Sequence, residues 1–283
     1  MNLKALWKGR TLCVATMHHK EKVIAPLFSE AFGINSYPPE QLDTDRYGTF
    51  SGERSRDHSA IQTAILKCDA ARSLTGKDLI VANEGTFGPH PNLLFVPSDD
   101  EVIVLKDYLN NLTFIARHIS LETNLSAITI QKEEDLKEFL DRVGFPSHGL
   151  ILKKDEETNV PIKKGIKDFK ELNALVTTYL RQDGSCYIET DMRAMMNPTR
   201  MKAIEQTTLK LLDKLHSLCP SCEWPGFDIV EAVPGLPCQG CGFPTPSILG
   251  HRYECEHCHF QEEKKFPLGK LTEDPMYCNV CNP

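Results

Sequence analysis

The chain has 283 residues, 41% of them hydrophobic and 25% charged, with a formal net charge of −7. That is enough apolar material for one large core with an appendage, and the balance is too acidic for nonspecific attraction to nucleic-acid backbones or anionic membrane. No apolar run reaches the roughly 18 residues a membrane span needs, and Met1-Asn2-Leu3-Lys4 carries no signal-like h-region. The expectation is a cytoplasmic protein, whose eleven cysteines read in a reducing compartment as metal ligands and buried thiols rather than disulfides.

Residues 1–216 alternate β-branched or apolar runs with amphipathic segments, the pattern of an α/β domain with a mixed sheet flanked by helices. Thr11–Thr16 reads as a strand, followed by the turn Met17-His18-His19 and a helix whose apolar positions run from Val23 to Phe32, with Gly33 as its stop. A charged stretch from Asn35 to Arg56 is too long for a mere connector, and such loops carry function more often than the elements they join. A second helix is expected from Ser59, then the strand Leu79–Ala82, ending in Asn83-Glu84-Gly85-Thr86-Phe87-Gly88-Pro89-His90-Pro91. A carboxylate just past a strand end sits where open α/β sheets bind ligands. Strands at Leu112–His118, His148–Leu152 and Cys186–Glu189 and helices at Glu133–Arg142 and Phe169–Leu180 follow. The closing helix has Asn197 as N-cap and Pro198 at its first position, and it delivers the chain to Cys219.

From residue 217 helical periodicity stops and Pro and Gly accumulate. Cys219/Cys222, Cys238/Cys241, Cys255/Cys258 and Cys278/Cys281 are four Cys-x-x-Cys pairs, each able to aim two thiolates at one tetrahedral ion. Two closed structural Zn²⁺ sites in a zinc-ribbon-like module of residues 217–283 follow. The inner two pairs resemble ribbon knuckles, which would leave the outer two to share the second ion; pairing the first two and the last two is the competing arrangement. His257 and His259 read as surface residues. Residues 217–283 hold four Lys or Arg against nine Asp or Glu, a net of −5, and each Zn(Cys)₄ centre adds about −2. Such a tail repels phosphate, so nucleic acid is a poor partner and a protein partner a better one.

Candidate site residues lie in the first 216. His18, His19, Lys20 and Lys22 stand at a helix start, where backbone N–H groups favour an anion; a solvated surface is an equal reading of the two lysines. Asp43, Asp45, Glu53, Glu84, Glu189 and Asp191 fall in loops or at strand ends and suit Mg²⁺ that bridges phosphates and activates water. Arg46, Arg54, Arg56, Arg193 and Arg200 could clamp phosphate oxygens. For Asp43-Thr44-Asp45 an Asx-turn, and for Glu189–Arg193 an ion-paired strand end, are equally good accounts. His90, held between two prolines, is a ligand, a proton donor or a turn plug. Cys13, Cys68 and Cys186 read as buried thiols.

Leu12–Thr16 with Lys20 or Lys22, then Ala64-Ile65-Leu66-Lys67 on a helix, then Ala82-Asn83-Glu84-Gly85 after a strand, resemble the inosine/xanthosine triphosphate pyrophosphatase superfamily. Val143–Gly149 resembles that family's Gly-Phe turn, and Asn197-Pro198-Thr199-Arg200 its Ser-His-Arg helix start. The resemblance spans most of residues 11–216. It implies that Lys20 or Lys22, with Lys67 and Arg200, binds phosphorylated substrate; His18 and Arg193 join them from the reading of the residues themselves. The family's first-turn Asn is replaced by Met17-His18-His19, and its helix Asn by Thr63. The whole chain also resembles an uncharacterised bacterial family sharing the segments 44–53, 83–91 and 189–194, which names no activity. Combining residues and resemblance, the expected function is a Mg²⁺-dependent hydrolase of a nucleotide or other phosphorylated small molecule. Asp45, Glu53, Glu84 and Asp191 are its candidate catalytic carboxylates, and Arg54 and His90 join its substrate-binding set. The alternative is a non-enzymatic ligand sensor or scaffold whose zinc module docks a protein.

Overall fold

The computed structural model describes residues 6–48, 57–158 and 162–283. It separates into two compact units, Trp7–Leu211 and a second that takes in Leu212–Pro283.

The larger unit holds two sheets. The first has the order β2-β1-β3-β4-β5, built from β1 (Thr11–Val14), β2 (Asn35–Tyr37), β3 (Leu79–Pro89), β4 (Pro97–Asp107) and β5 (Leu112–Ser120). Strands β2, β1 and β3 are parallel, while β4 and β5 continue as antiparallel ribbons. Two helices make the parallel crossovers. Helix α1 (Glu21–Phe32) is stopped by Gly33 in the left-handed conformation, at φ 69°, whose N–H donates to Ser29 O. Helix α2 (Ala60–Thr75) opens on a capping box in which Ser59 and Gln62 satisfy each other's backbone N–H. Strand alternation splits the apolar residues between two faces. Cys13, Ile80, Ala82, Val102 and Val104 pack on Ala64, Cys68 and Ala71 of α2, while Leu12, Val14, Leu79 and Val81 are buried on the other face.

The second sheet is antiparallel, in the order β6-β9-β7-β8, from β6 (Ala127–Ile130), β7 (Leu150–Lys153), β8 (Lys163–Ile166) and β9 (Cys186–Thr190). Helices α3 (Glu133–Val143) and α4 (Phe169–Asp183) cover one face, burying Phe139, Leu140, Leu150, Leu152, Leu172, Val176 and Ile188 together. The opposite face carries Ala127, Ile151, Tyr187 and Glu189. Helix α5 (Pro198–His216) follows, capped where Asn197 Oδ1 accepts from Arg200 N at 3.0 Å.

Two differences from the sequence reading bear on the site. Strand β3 does not end at Ala82 but runs to Pro89, so Glu84 lies within it, opposite Val102. Its partner β4 escapes a periodicity search because Asp99 and Glu101 interrupt the apolar pattern and are nevertheless buried. Between β3 and β4 the chain closes a tight loop in which His90 Nδ1 accepts from Asn92 N and Leu93 N, both at 3.1 Å. His90 thus plugs the turn, and it is not among the residues lining the two spaces described below.

The second unit contains an antiparallel sheet of β10 (Asp228–Pro234), β11 (Ile248–Glu254) and β12 (Gln261–Lys265), with the Cys-x-x-Cys turns in the segments between and beyond its strands. Among the described residues no helix is long and apolar enough to cross a membrane.

The second sheet's core rests on Phe139, which is fully buried. Phe139→Ala should lower unfolding stability by about 3–5 kcal/mol, read from urea denaturation; a loss below about 1 kcal/mol would contradict this packing.

Candidate functional site

In a sheet ordered 2-1-3 the chain leaves β1 toward one edge and returns on the other side, and the crevice past the carboxyl ends of β1 and β3 is the usual ligand position. Here β1 stops at Val14 and β3 continues, so that among the described residues no strand lies beside β3 on that side. Charged side chains occupy that corner. His18, Lys20, Asp45, Lys67, Glu84 and Arg193 line one small pocket, joined by Lys164 of β8, which the sequence did not single out. Six of the predicted site residues thus converge.

Each is held by a traceable contact. Lys20, 5% exposed, turns its Nζ onto the free edge of β3 and donates to Asn83 O at 2.8 Å. Lys67, on the sheet-facing side of α2, ion-pairs with Glu84. His18 Nε2 stands 3.5 Å from Asp45 Oδ1. The Asx-turn reading of residues 43–45 also holds, since Asp43 Oδ1 accepts from Asp45 N at 3.0 Å. Asp191 lies behind the pocket, fully buried, and grips Arg193 at 2.6 and 3.0 Å. It orients a cation and does not line the pocket.

Behind β3, Arg200 is fully buried. Its Nε donates to Glu101 Oε1 at 2.7 Å, its Nη1 to Met192 O at 2.5 Å, and its guanidinium lies 4.9 Å from the Phe87 ring centroid. A Cβ on Gly85 would come within 2.7 Å of Glu101 Oε1 and 2.8 Å of Arg200 Nη2, so glycine is required there. Lys22 is exposed and faces a different surface pocket with His19, so it does not join Lys20. Glu53 and Arg54 lie outside the described residues.

Burial and crowded cations shift the protonation equilibria. His18 is pushed down to about 3, by burial first and then by Lys20, Arg200 and Arg193, so its ring is neutral at physiological pH. Lys20 is pushed down to about 7, by burial and then by Arg200. Burial raises the Asp45 carboxyl. Asp99 and Glu101, on one face of β4, behave as a pair. Burial and then the Glu101 charge push Asp99 up to about 8. Burial acts on Glu101 too, but Arg200 and Lys20 outweigh it and hold that carboxyl below its usual range. Among the described residues neither Asp99 Oδ1 nor Glu101 Oε2 has a donor, and a proton on Asp99 supplies one.

A larger cavity of about 460 Å³ adjoins through Glu84 and Gly48, which line both spaces. Its walls are the Glu84–Phe87 stretch of β3 and the open face of the second sheet, with Ile151, Tyr187, Glu189 and Met192. Aromatic and apolar surface thus adjoins a cationic corner.

The second unit carries the other site. Cys219, Cys222, Cys255 and Cys258 form one cluster and Cys238, Cys241, Cys278 and Cys281 the other, each with its sulfurs within 4.8 Å of one another. The pairs interleave, first with third and second with fourth, which corrects both pairings the sequence suggested. Local knuckle geometry is the same at each pair and so carries no pairing information; the strands decide it, since β10 and β11 place the first and third turns at one end of the sheet. The first three knuckles share one construction: Glu223, Gly242 and His259, each following the second Cys, take left-handed φ of 59°, 73° and 57°, and their N–H groups donate to Cys219 O, Cys238 O and Cys255 O.

The closest sulfur pairs are 3.7 and 3.6 Å apart in the first cluster, 3.9 and 3.6 Å in the second. A disulfide needs about 2.05 Å, whereas a tetrahedron with Zn–S of about 2.3 Å separates its sulfurs by about 3.8 Å. The donor set and spacing fit a closed Zn(Cys)₄ centre at each cluster. Neither histidine competes: His257 stacks on Trp224 at 4.3 Å, and His259 lies 3.4 Å from Glu254.

Residues 67–283, about three quarters of the chain, match the family described as "Domain of unknown function (DUF6671)", and the chain belongs to that family. The matched span includes Lys67, Glu84, Arg193, Arg200 and all eight paired cysteines. It begins after His18, Lys20 and Asp45. No curated protein matches the sequence significantly.

Interleaving makes a test that single cysteine variants cannot. With wild type binding about two zinc per chain, the double variant Cys222→Ser/Cys258→Ser should retain about one and Cys222→Ser/Cys241→Ser should lose both. Elemental analysis reads the ratio, and the reverse pattern would restore sequential pairing. A second expectation concerns Asp99. Its folded pKa of about 8 lies above the ordinary 3.8, so its contribution is present in full below about pH 4 and is lost as pH rises toward 8. Asp99→Asn should flatten the melting temperature between pH 5 and 8 and raise it above wild type at about pH 8; an unchanged slope would show that Asp99 folds ionised.

Proposed function

We propose that this DUF6671 member is a hydrolase of a phosphorylated small molecule, with the cationic corner holding phosphate and the adjoining cavity holding the organic moiety. The observation that carries it is the convergence of Lys20, Lys67, Lys164 and Arg193 with Glu84 and Asp45 in one pocket at the β1/β3 crevice. Lys67, Lys164, Arg193 and a part-protonated Lys20 outnumber the lining carboxylates Glu84 and Asp45, which suits an anion. The His18 ring, neutral at physiological pH, adds no charge to the corner. Phe87 and Tyr187 at the cavity wall offer flat apolar surface of the kind that stacks on a heterocycle.

Mg²⁺ belongs to this reading through the substrate. Among the described residues, only the two cysteine clusters bring three or more metal-ligating side chains together. Mg²⁺ characteristically rides on substrate phosphates with one or two carboxylates, and Glu84 and Asp45 are the candidates. Bound so, the ion would polarise a phosphoryl oxygen and neutralise charge. The resemblance to inosine/xanthosine triphosphate pyrophosphatases supports the same reading. So does the placement of Lys20, Lys67 and Glu84, the residues that carry it, in one pocket. The two zinc centres are read as structural, their binding free energy serving the folding of the tail.

One observation favours a second reading, a sensor that binds without turnover and uses the zinc module to dock a protein: Glu84 is already engaged by Lys67. A screen of phosphate and pyrophosphate release over canonical and modified nucleoside triphosphates with Mg²⁺ separates the two. Turnover that Glu84→Gln lowers by about 10²-fold or more, with unchanged circular dichroism, is the expected result. Tight binding without release would overturn the hydrolase in favour of the sensor.

A further inference from the structure

The acids around Lys20 are already taken. Glu84 is paired with Lys67, and Glu101 with Arg200. Among the described residues neither reaches ion-pair distance of Lys20, whose Nζ partner is a neutral carbonyl, Asn83 O. Lys20 also sits at the N-terminal end of α1, where the helix dipole is positive and disfavours an ammonium. Burial acts most strongly against the ammonium; Arg200 from α5 and Lys67 from α2 add like charge, while the carboxylates Glu84 of β3 and Glu101 of β4 pull the other way without cancelling it. A buried lysine so placed gives up its proton easily, and one in a pocket with other cations is the arrangement that activates an amine as a nucleophile.

We propose that Lys20 is a nucleophilic amine that captures an anionic carbonyl compound, an aldehyde or ketone bearing phosphate, as an imine in this pocket. The inference rests on the anion-binding reading of the corner, with Lys67, Lys164 and Arg193 holding the phosphate. The amine lone pair forms the N–C bond at the carbonyl carbon as the C=O π pair moves to oxygen. A proton passes from nitrogen to that oxygen, giving a carbinolamine. Protonation of its hydroxyl lets the C–O bond break with loss of water, leaving a C=N bond. No oxidant or reductant is consumed. Glu84 lines the same pocket and can carry protons between these positions. With Lys20 pushed down to about 7, about half of it is free amine at neutral pH, against roughly one in a few thousand for an ordinary lysine.

Pyridoxal 5′-phosphate, an aldehyde bearing a phosphate, is a direct probe. The full-length, zinc-loaded protein is treated at pH 7, reduced with borohydride to fix the imine, digested and mapped by mass spectrometry. Lys20 should take up label at least about tenfold faster than exposed lysines such as Lys22, with a half-maximal rate near pH 7 and protection by inorganic pyrophosphate. Label confined to surface lysines, or a Lys20 rate that rises only toward about pH 10, would overturn the proposal. Pyridoxal without its phosphate is the second arm. If it labels Lys20 equally well and pyrophosphate gives no protection, the nucleophile stands and the anion-pocket reading falls. Lys20→Arg, checked for fold by circular dichroism, should abolish label at that position. The wild-type pH profile decides the matter even if that variant does not fold.

Discussion

The larger unit turns on one buried guanidinium. Arg200 has no exposed surface, and it joins Glu101 of the first sheet to the Met192 carbonyl just beyond the second. Desolvating both charges is expensive, and the pair is tolerable only because the geometry is close and further donors and acceptors are at hand. Removing one partner of such a pair typically costs about 3–5 kcal/mol, since the other is left charged and buried. Much of the neighbourhood follows from it. A side chain at Gly85 would push into the Glu101–Arg200 pair against β3, and burial together with the Glu101 charge keeps Asp99 protonated at neutral pH. Lys20, with Glu101 engaged elsewhere, settles on a carbonyl.

Punctuation was legible in the sequence because it is local. Ser59, Gly33, Asn197 and Pro198 act on their own backbone turns, and these helix ends stand within a few residues of where they are read. Lys67 and Glu84 could be singled out, but their pairing could not, because it depends on a helix face meeting a strand from which it is separated by a turn. Strand β4 was missed for a related reason. A strand that buries two carboxylates does not alternate apolar with polar, and the cation that makes this possible comes from Arg200, about a hundred residues on. Lys164 carried no signal at all; it is one of several lysines in its stretch, and only the position of β8 brings it to the pocket.

The two sites contrast in how much the sequence alone specifies. Eight thiols in pairs leave little doubt about chemistry, because softness and spacing select the metal class. Their partition is another matter, since it depends on which turns a three-stranded sheet brings together. In the pocket the situation is reversed. Its position follows from strand order by a general rule of open sheets, while its chemistry depends on small differences in how buried charges divide their partners.

The interleaved clusters also bear on how the tail is made. Synthesis releases Cys219, Cys222, Cys238 and Cys241 before any of the other four, and those first four thiols are not a native ligand set. They have the donors and the number that a tetrahedral ion wants. A zinc ion met at that stage would bind across two sites that must later be separated. Reaching the native arrangement would then require ligand exchange at the metal once Cys255 and Cys258 emerge.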